Sequence, residues 1–92
     1  MRKSNIFISK KAADSLRKLS EKQQERIREK INYLSAHSTT FQRDVFLDIV
    51  KLKGFDNLYR LRTGDYRIIF KYENGLIIIA NIFDRKDAYR QF

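Results

Sequence analysis

The sequence contains no cysteine, no proline, a single histidine and only three glycines among 92 residues. Without cysteine, neither a disulfide frame nor a thiolate metal site can form. One histidine and no thiol also remove most zinc chemistry and any Cys–His pair. That histidine, His37, ends a predicted helix, where a cation suits the dipole, and it reads as structural. No group of acids has the spacing of a two-metal site, so neither a metal nor an organic cofactor is expected. The longest unbroken apolar run, residues 76–80, is far too short to span a bilayer. The opening "MRKSNIFISK" is basic but has no apolar stretch or small-residue cleavage site of a signal peptide. A cytoplasmic location away from any membrane is the expectation.

Negative charge is scarce as well. Eleven acids stand against 20 Lys and Arg, for a formal net charge of +9. Such an excess favours a polyanionic partner, whether nucleic acid, an acidic protein or a membrane face, over a charge carried for solubility alone. Apolar residues make up 42% of the chain, including seven Phe and five Tyr, enough for one modest core. The length corresponds to a single domain over residues 1–92.

Hydrophobic periodicity then orders the chain. "NIFIS" alternates as a short strand. Ala12, Ala13, Leu16 and Leu19 recur at helical spacing behind Ser9, a candidate N-cap. Ser20 and Gln23 form a capping-box signature ahead of a second helix with Ile27, Ile31 and Leu34 on its apolar stripe. Residues 38–57 fit either a short helix or an irregular strand. Residues 58–62 and 65–72 alternate as strands joined at Thr63-Gly64, and Asn74-Gly75 is a strong hairpin signal before the β-prone run 76–83. The fold class predicted is α+β: an N-terminal strand, a two-helix hairpin, then an antiparallel sheet packed on the helices.

The second half holds an oddity. "LYRLRTGDYRIIF" places Arg60, Arg62 and Arg67 within eight residues of a hydrophobic hairpin, with Asp65 the one acid among them. Side chains alternate along strands, so Arg60 and Arg62 share a face. A two-residue loop at Thr63-Gly64 sets Arg62 opposite Asp65 and Arg60 opposite Arg67; a longer loop shifts the pairing but keeps the cluster. Register carried through Asn74-Gly75 pairs Arg67 with Ile82 and brings Arg85 near, with Lys51 and Lys53 arriving from the preceding segment. The other face, with Tyr66, Ile68, Phe70, Tyr72, Ile77, Ile79 and Phe83, suits packing under the helices. Like charges about 5 Å apart at Cβ destabilise a sheet, so a ligand that rewards them is the economical explanation. Guanidinium forks match phosphate oxygens bidentately. The alternatives are a solvated basic face and arginines paired with acids elsewhere in the fold.

"KLKG" at 51–54, "LYRLRTGDYRIIF" at 58–70, an apolar strand and "DRKDAY" at 84–89 together resemble the RelE/ParE toxin superfamily of prokaryotic toxin–antitoxin modules. The helical hairpin before them fits the same family's layout, so the resemblance covers nearly the whole chain. It implies one of two activities: ribosome-dependent cleavage of mRNA in the decoding site, as in RelE-type members, or poisoning of DNA gyrase without cleavage, as in ParE-type members. In either case it implies a cognate antitoxin as partner. The RelE pattern of basic and aromatic site residues falls on Arg60, Arg62, Arg67, Arg85 and Tyr89, with Lys53 in the "K-L-basic-G" element. Some RelE proteins carry lysine where this chain has Arg60 and Arg62, and some have a longer gap than that from Arg85 to Tyr89.

RNA supplies its own nucleophile, the 2′-OH. Cleavage asks the protein to remove that proton, to meet the charge growing on the phosphorane and to protonate the departing 5′ oxygen. Arg60, Arg62 and Arg67 are candidates for the phosphate, and Lys51 and Lys53 for the RNA backbone. Tyr89 is a candidate general base, its phenol of pKa near 10 helped by neighbouring cations, or an aromatic that packs on the sheet edge. Arg85 is a candidate acid or a phosphate clamp. A plain nucleic-acid-binding module shares the charge but does not need Tyr89.

Overall fold

The first strand stops where Ser9 turns its hydroxyl back onto the chain. In the computed structural model, which describes residues 5–86, strand β1 (Asn5–Ile8) is followed at once by helix α1 (Lys10–Arg17). Ser9 is extended, and its Oγ accepts the Ala12 amide at 3.0 Å, satisfying one of the amides a helix start leaves unpaired. Ser20 does the same for helix α2 (Glu21–Ala36). The Gln23 amide donates to Ser20 Oγ at 3.2 Å, and the Ser20 amide donates to Gln23 Oε1 at 3.4 Å, closing the capping box expected from sequence. Helix α2 ends at His37, whose ring stacks on Tyr33 with centroids 4.0 Å apart.

The ambiguous stretch 38–57 resolves into a turn of 3-10 helix (Phe41–Arg43) and a four-residue edge strand, β2 (Asp48–Lys51). Tertiary contacts rather than local pattern hold it. Phe41 is buried edge-on against Tyr59, Phe70 and Tyr72, at centroid distances of 5.0, 5.7 and 5.2 Å. Tyr33 Oη donates to Asp44 Oδ2 at 2.8 Å, and the Asp44 carboxylate accepts the Phe46 amide through Oδ1, also at 2.8 Å. These two bonds, the amide first, hold the Asp44 carboxyl below its ordinary pKa.

Three longer strands follow: β3 (Leu58–Thr63), β4 (Tyr66–Glu73) and β5 (Leu76–Asp84). The sheet runs β1-β5-β4-β3-β2, with β1 parallel to β5 and all other neighbours antiparallel. The α+β class expected from sequence is what forms, with β2 as a fifth strand. Ala12 and Leu16 of α1 and Ile27, Ile31 and Leu34 of α2 close one core with Tyr59, Leu61, Ile68, Phe70, Ile77, Ile79 and Ile82. Both helices therefore lie on one side of the sheet, α1 over β5 and α2 over β3. No helix among the described residues is long and apolar enough to cross a membrane.

Two details of register differ from expectation. The β3–β4 loop is Gly64 and Asp65, not Thr63 and Gly64, since Thr63 pairs with Tyr66. A two-residue hairpin needs positive φ at its first central position; Gly64 takes +57° freely, where a β-branched threonine would be strained. The second difference is a bulge in β5. Phe70 pairs with Ile79 but Ile69 pairs with Asn81, so Ala80 is the extra residue. Beyond it every side chain swaps faces. Ile82, not Phe83, joins the helix-side core, and Arg67 pairs with Phe83 rather than Ile82.

Candidate functional site

The register sets two of the arginines directly side by side, in a different pair from the one expected. Arg62 lies directly opposite Arg67, and Arg60 lies opposite Ile69, one step up the same face. Arg62 was expected to face Asp65; that acid is in the turn instead, where its carbonyl accepts the Arg85 amide at 2.6 Å. This contact brings Arg85, just past β5, back to the β3–β4 turn. The face predicted to gather Arg60, Arg62, Arg67 and Arg85 does gather them.

One acid tempers the cluster, and the sequence reading missed it. Asp48 on β2 pairs in register with Arg62 and accepts from its Nε at 2.8 Å. With the two side chains 56% and 50% exposed, the pair is worth at most about 1 kcal/mol. The available signal was the order Asp48-Ile49-Val50 with Ile49 inward, which puts Asp48 outward. It is hard to read in four residues.

Arg67 is the centre of the face. On one side stands Arg62, on the other Phe83, and Ile69 is two residues along the same strand. Ile69 and Phe83 are only 6% and 7% exposed although neither belongs to the helix-side core. Arg67 Nη1 is buried and has no hydrogen-bond partner among the described residues. Burial first, then the charges of Arg60, Arg62 and Arg85, pull the Arg67 pKa down, and Asp48 opposes them. A guanidinium stays protonated in proteins all the same. The result is a permanent cation, half-desolvated, among like charges, with its Nη1 unpartnered among the described residues.

Lys51 is not brought into this cluster. It pairs with Tyr59, whose ring lies in the helix-side core, so alternation directs Lys51 to that side. Lys53 is exposed in the loop after β2. Tyr89 lies outside the described residues. No three His, Cys, Asp or Glu side chains among the described residues converge as metal ligands.

Residues 6–89 match the profile of a family described as "ParE toxin of type II toxin-antitoxin system, parDE". The chain belongs to the RelE/ParE superfamily of type II toxins. It is 30% identical to the putative toxin RelE1 of Methanocaldococcus jannaschii across 96% of this chain and 97% of that protein. It is 43% identical to toxin RelE3 of the same organism over 49 residues, covering 53% of this chain and 56% of RelE3. In that match the chain spans little more than half of the relative's own length. Among solved structures, the RelB-RelE antitoxin-toxin complex from Methanococcus jannaschii superposes with a TM-score of 0.75 at 28% identity, over 94% of this chain and 98% of that one. The sheet thus offers an anion four guanidinium groups from three places in the chain. Such groups can hold a phosphate bidentately and meet charge that develops on it.

Proposed function

We propose that this toxin is a ribosome-dependent endoribonuclease that cuts mRNA in the decoding site and so arrests translation in the cytoplasm. The observation that carries the reading is Arg67: a buried Nη1 with no hydrogen-bond partner among the described residues, on a cation hemmed in by Arg60, Arg62 and Arg85. Such an arrangement costs stability in the free protein and is rewarded when an anion arrives.

In the reaction, the substrate's 2′-oxygen attacks the adjacent phosphorus, and its proton passes to a base. The bond from phosphorus to the 5′ oxygen breaks, that oxygen takes a proton, and a 2′,3′-cyclic phosphate and a 5′-hydroxyl remain. Arg67, with Arg60 and Arg62, holds the non-bridging oxygens and meets the extra charge of the phosphorane. Arg85 clamps the phosphate or protonates the leaving oxygen, and Tyr89 takes the 2′ proton. Lys53, exposed in the loop after β2, contacts the RNA backbone. With the Asp48 carboxylate held by Arg62 and no imidazole on the arginine face among the described residues, the site is slow alone, and the ribosome contributes by aligning the RNA. The cognate partner is a small antitoxin that covers the basic sheet face; relatives solved as toxin–antitoxin complexes support it.

A second reading, inhibition of DNA gyrase without cleavage, is favoured by the ParE description of the matching family. Mapping RNA 5′ ends shortly after induction separates the two. New ends inside reading frames are expected, reduced about 10²–10³-fold in Arg67→Ala, the usual cost of removing one transition-state donor. Growth arrest with no new ends, and with DNA supercoiling lost, would establish the gyrase reading instead.

A further inference from the structure

The β5 bulge decides more than a core contact. Downstream of Ala80, residues pair as Asn81 with Ile69, Ile82 with Ile68, Phe83 with Arg67 and Asp84 with Tyr66. Phe83 therefore lies on the arginine face, and Arg85, two residues further, follows it there. Asp84 goes to the helix side, where it lines a cavity of about 290 Å³ with Lys11, Lys18 and Tyr66. Draw Ala80 into the ladder opposite Ile69 and the alternation beyond it inverts, because strand periodicity is two. Arg67 would then face Ile82, and Asp84 would share the arginine face in place of Arg85. The cluster would lose a cation and gain an acid. The electrostatics agree with the observed register: Arg85 acts on Arg67, while Asp84 acts on Tyr66.

The bulge is held from outside the strand. Ser9 donates its amide to the Ile79 carbonyl at 2.9 Å and its hydroxyl to the Ala80 carbonyl at 2.8 Å. The same oxygen accepts the Ala12 amide that starts α1. One hydroxyl thus caps a helix with a lone pair and clamps the bulge with its proton.

We propose that Ser9 is a positioning residue for the arginine site: by clamping Ala80 it fixes the face on which Arg85 and Asp84 fall. The inference rests on the arginine face being the site, and its test keeps the two apart. Three variants divide the roles of the hydroxyl. Ser9→Thr keeps both bonds. Ser9→Asp keeps the cap, since a carboxylate accepts the Ala12 amide, but has no proton for the Ala80 carbonyl. Ser9→Gly has neither, yet glycine is tolerated at an N-cap, so the fold survives. Two readouts are taken on the full chain: the cross-strand NMR contact between Arg67 and Phe83, and cleavage of mRNA on ribosomes. Ser9→Thr is expected to match the parent in both. Ser9→Asp and Ser9→Gly are expected to weaken the Arg67–Phe83 contact, with a new contact from Arg67 to Ile82, and to cut about tenfold more slowly, the scale of one lost buried hydrogen bond. A residue that only caps a helix would be replaced fully by aspartate. Parent-like register or parent-like cutting in both Asp and Gly variants overturns the proposal. If Arg67→Ala itself cuts like the parent, the nuclease site is wrong, and the NMR contact alone still decides whether Ser9 sets the face.

Discussion

Arg67 keeps its charge although burial and three neighbouring arginines oppose it, and its buried Nη1 finds no partner among the described residues. A group placed so is maintained against folding stability. Methionine has a similar length and fits the apolar wall of Ile69 and Phe83. Replacing buried charge by such a side chain is often neutral or stabilising by about 1–4 kcal/mol. Arg67 is only half-buried, so the low end applies, and Arg67→Met should raise the thermal midpoint by about 4–8 °C, as about 1 kcal/mol does in a domain this size. Thermal unfolding by circular dichroism measures it. A lower midpoint would mean that the guanidinium has stabilising contacts in the free protein. The arginine face itself was legible in sequence because a two-residue loop, whether at 63–64 or at 64–65, leaves Arg60, Arg62 and Arg67 on one face. Its partners were not. Asp48 acts from an edge strand that carries almost no pattern, and Phe83 reaches Arg67 only through a bulge.

At the level of elements, what was legible was local. Ser9 and Ser20 start their helices through bonds to residues three positions on, and Asn74 and Gly75, at φ of 50° and 77°, turn the second hairpin. The segment 38–47 has no such signal, because its order comes from Phe41 inserted among Tyr59, Phe70 and Tyr72 and from Asp44 bonded to Tyr33. Phe41→Ala should accordingly cost about 3–5 kcal/mol by chemical denaturation, the range for a buried aromatic. Phe46→Ala, five residues later and 71% exposed, should stay within about 0.5 kcal/mol. Similar costs at both positions would show that the segment is held by its loop bonds rather than by the aromatic insertion. The β2 strand that follows supplies Asp48, so loosening this anchor should also release Arg62 from its carboxylate.

For the whole molecule, a formal charge of +9 on 92 residues has two consequences of opposite sign. Self-repulsion strains the compact free protein, and salt screens it. The same salt weakens binding to RNA, because the counterions released when phosphates are neutralised gain less free energy in an already concentrated salt solution. Sodium chloride should therefore raise the thermal midpoint of the free toxin while lowering its affinity for RNA. That much would hold for any basic surface, so the discriminating comparison is between anions. Inorganic phosphate at matched ionic strength can also occupy the arginine face, and at ten times its Kd a single bound anion stabilises by about 1.4 kcal/mol. The midpoint should rise several degrees further in phosphate than in chloride, and the excess should vanish in Arg67→Met, which remains folded but has lost the central fork. An equal rise in both salts would mean that the arginines act as diffuse charge, and that the buried N–H of Arg67 recognises no phosphate.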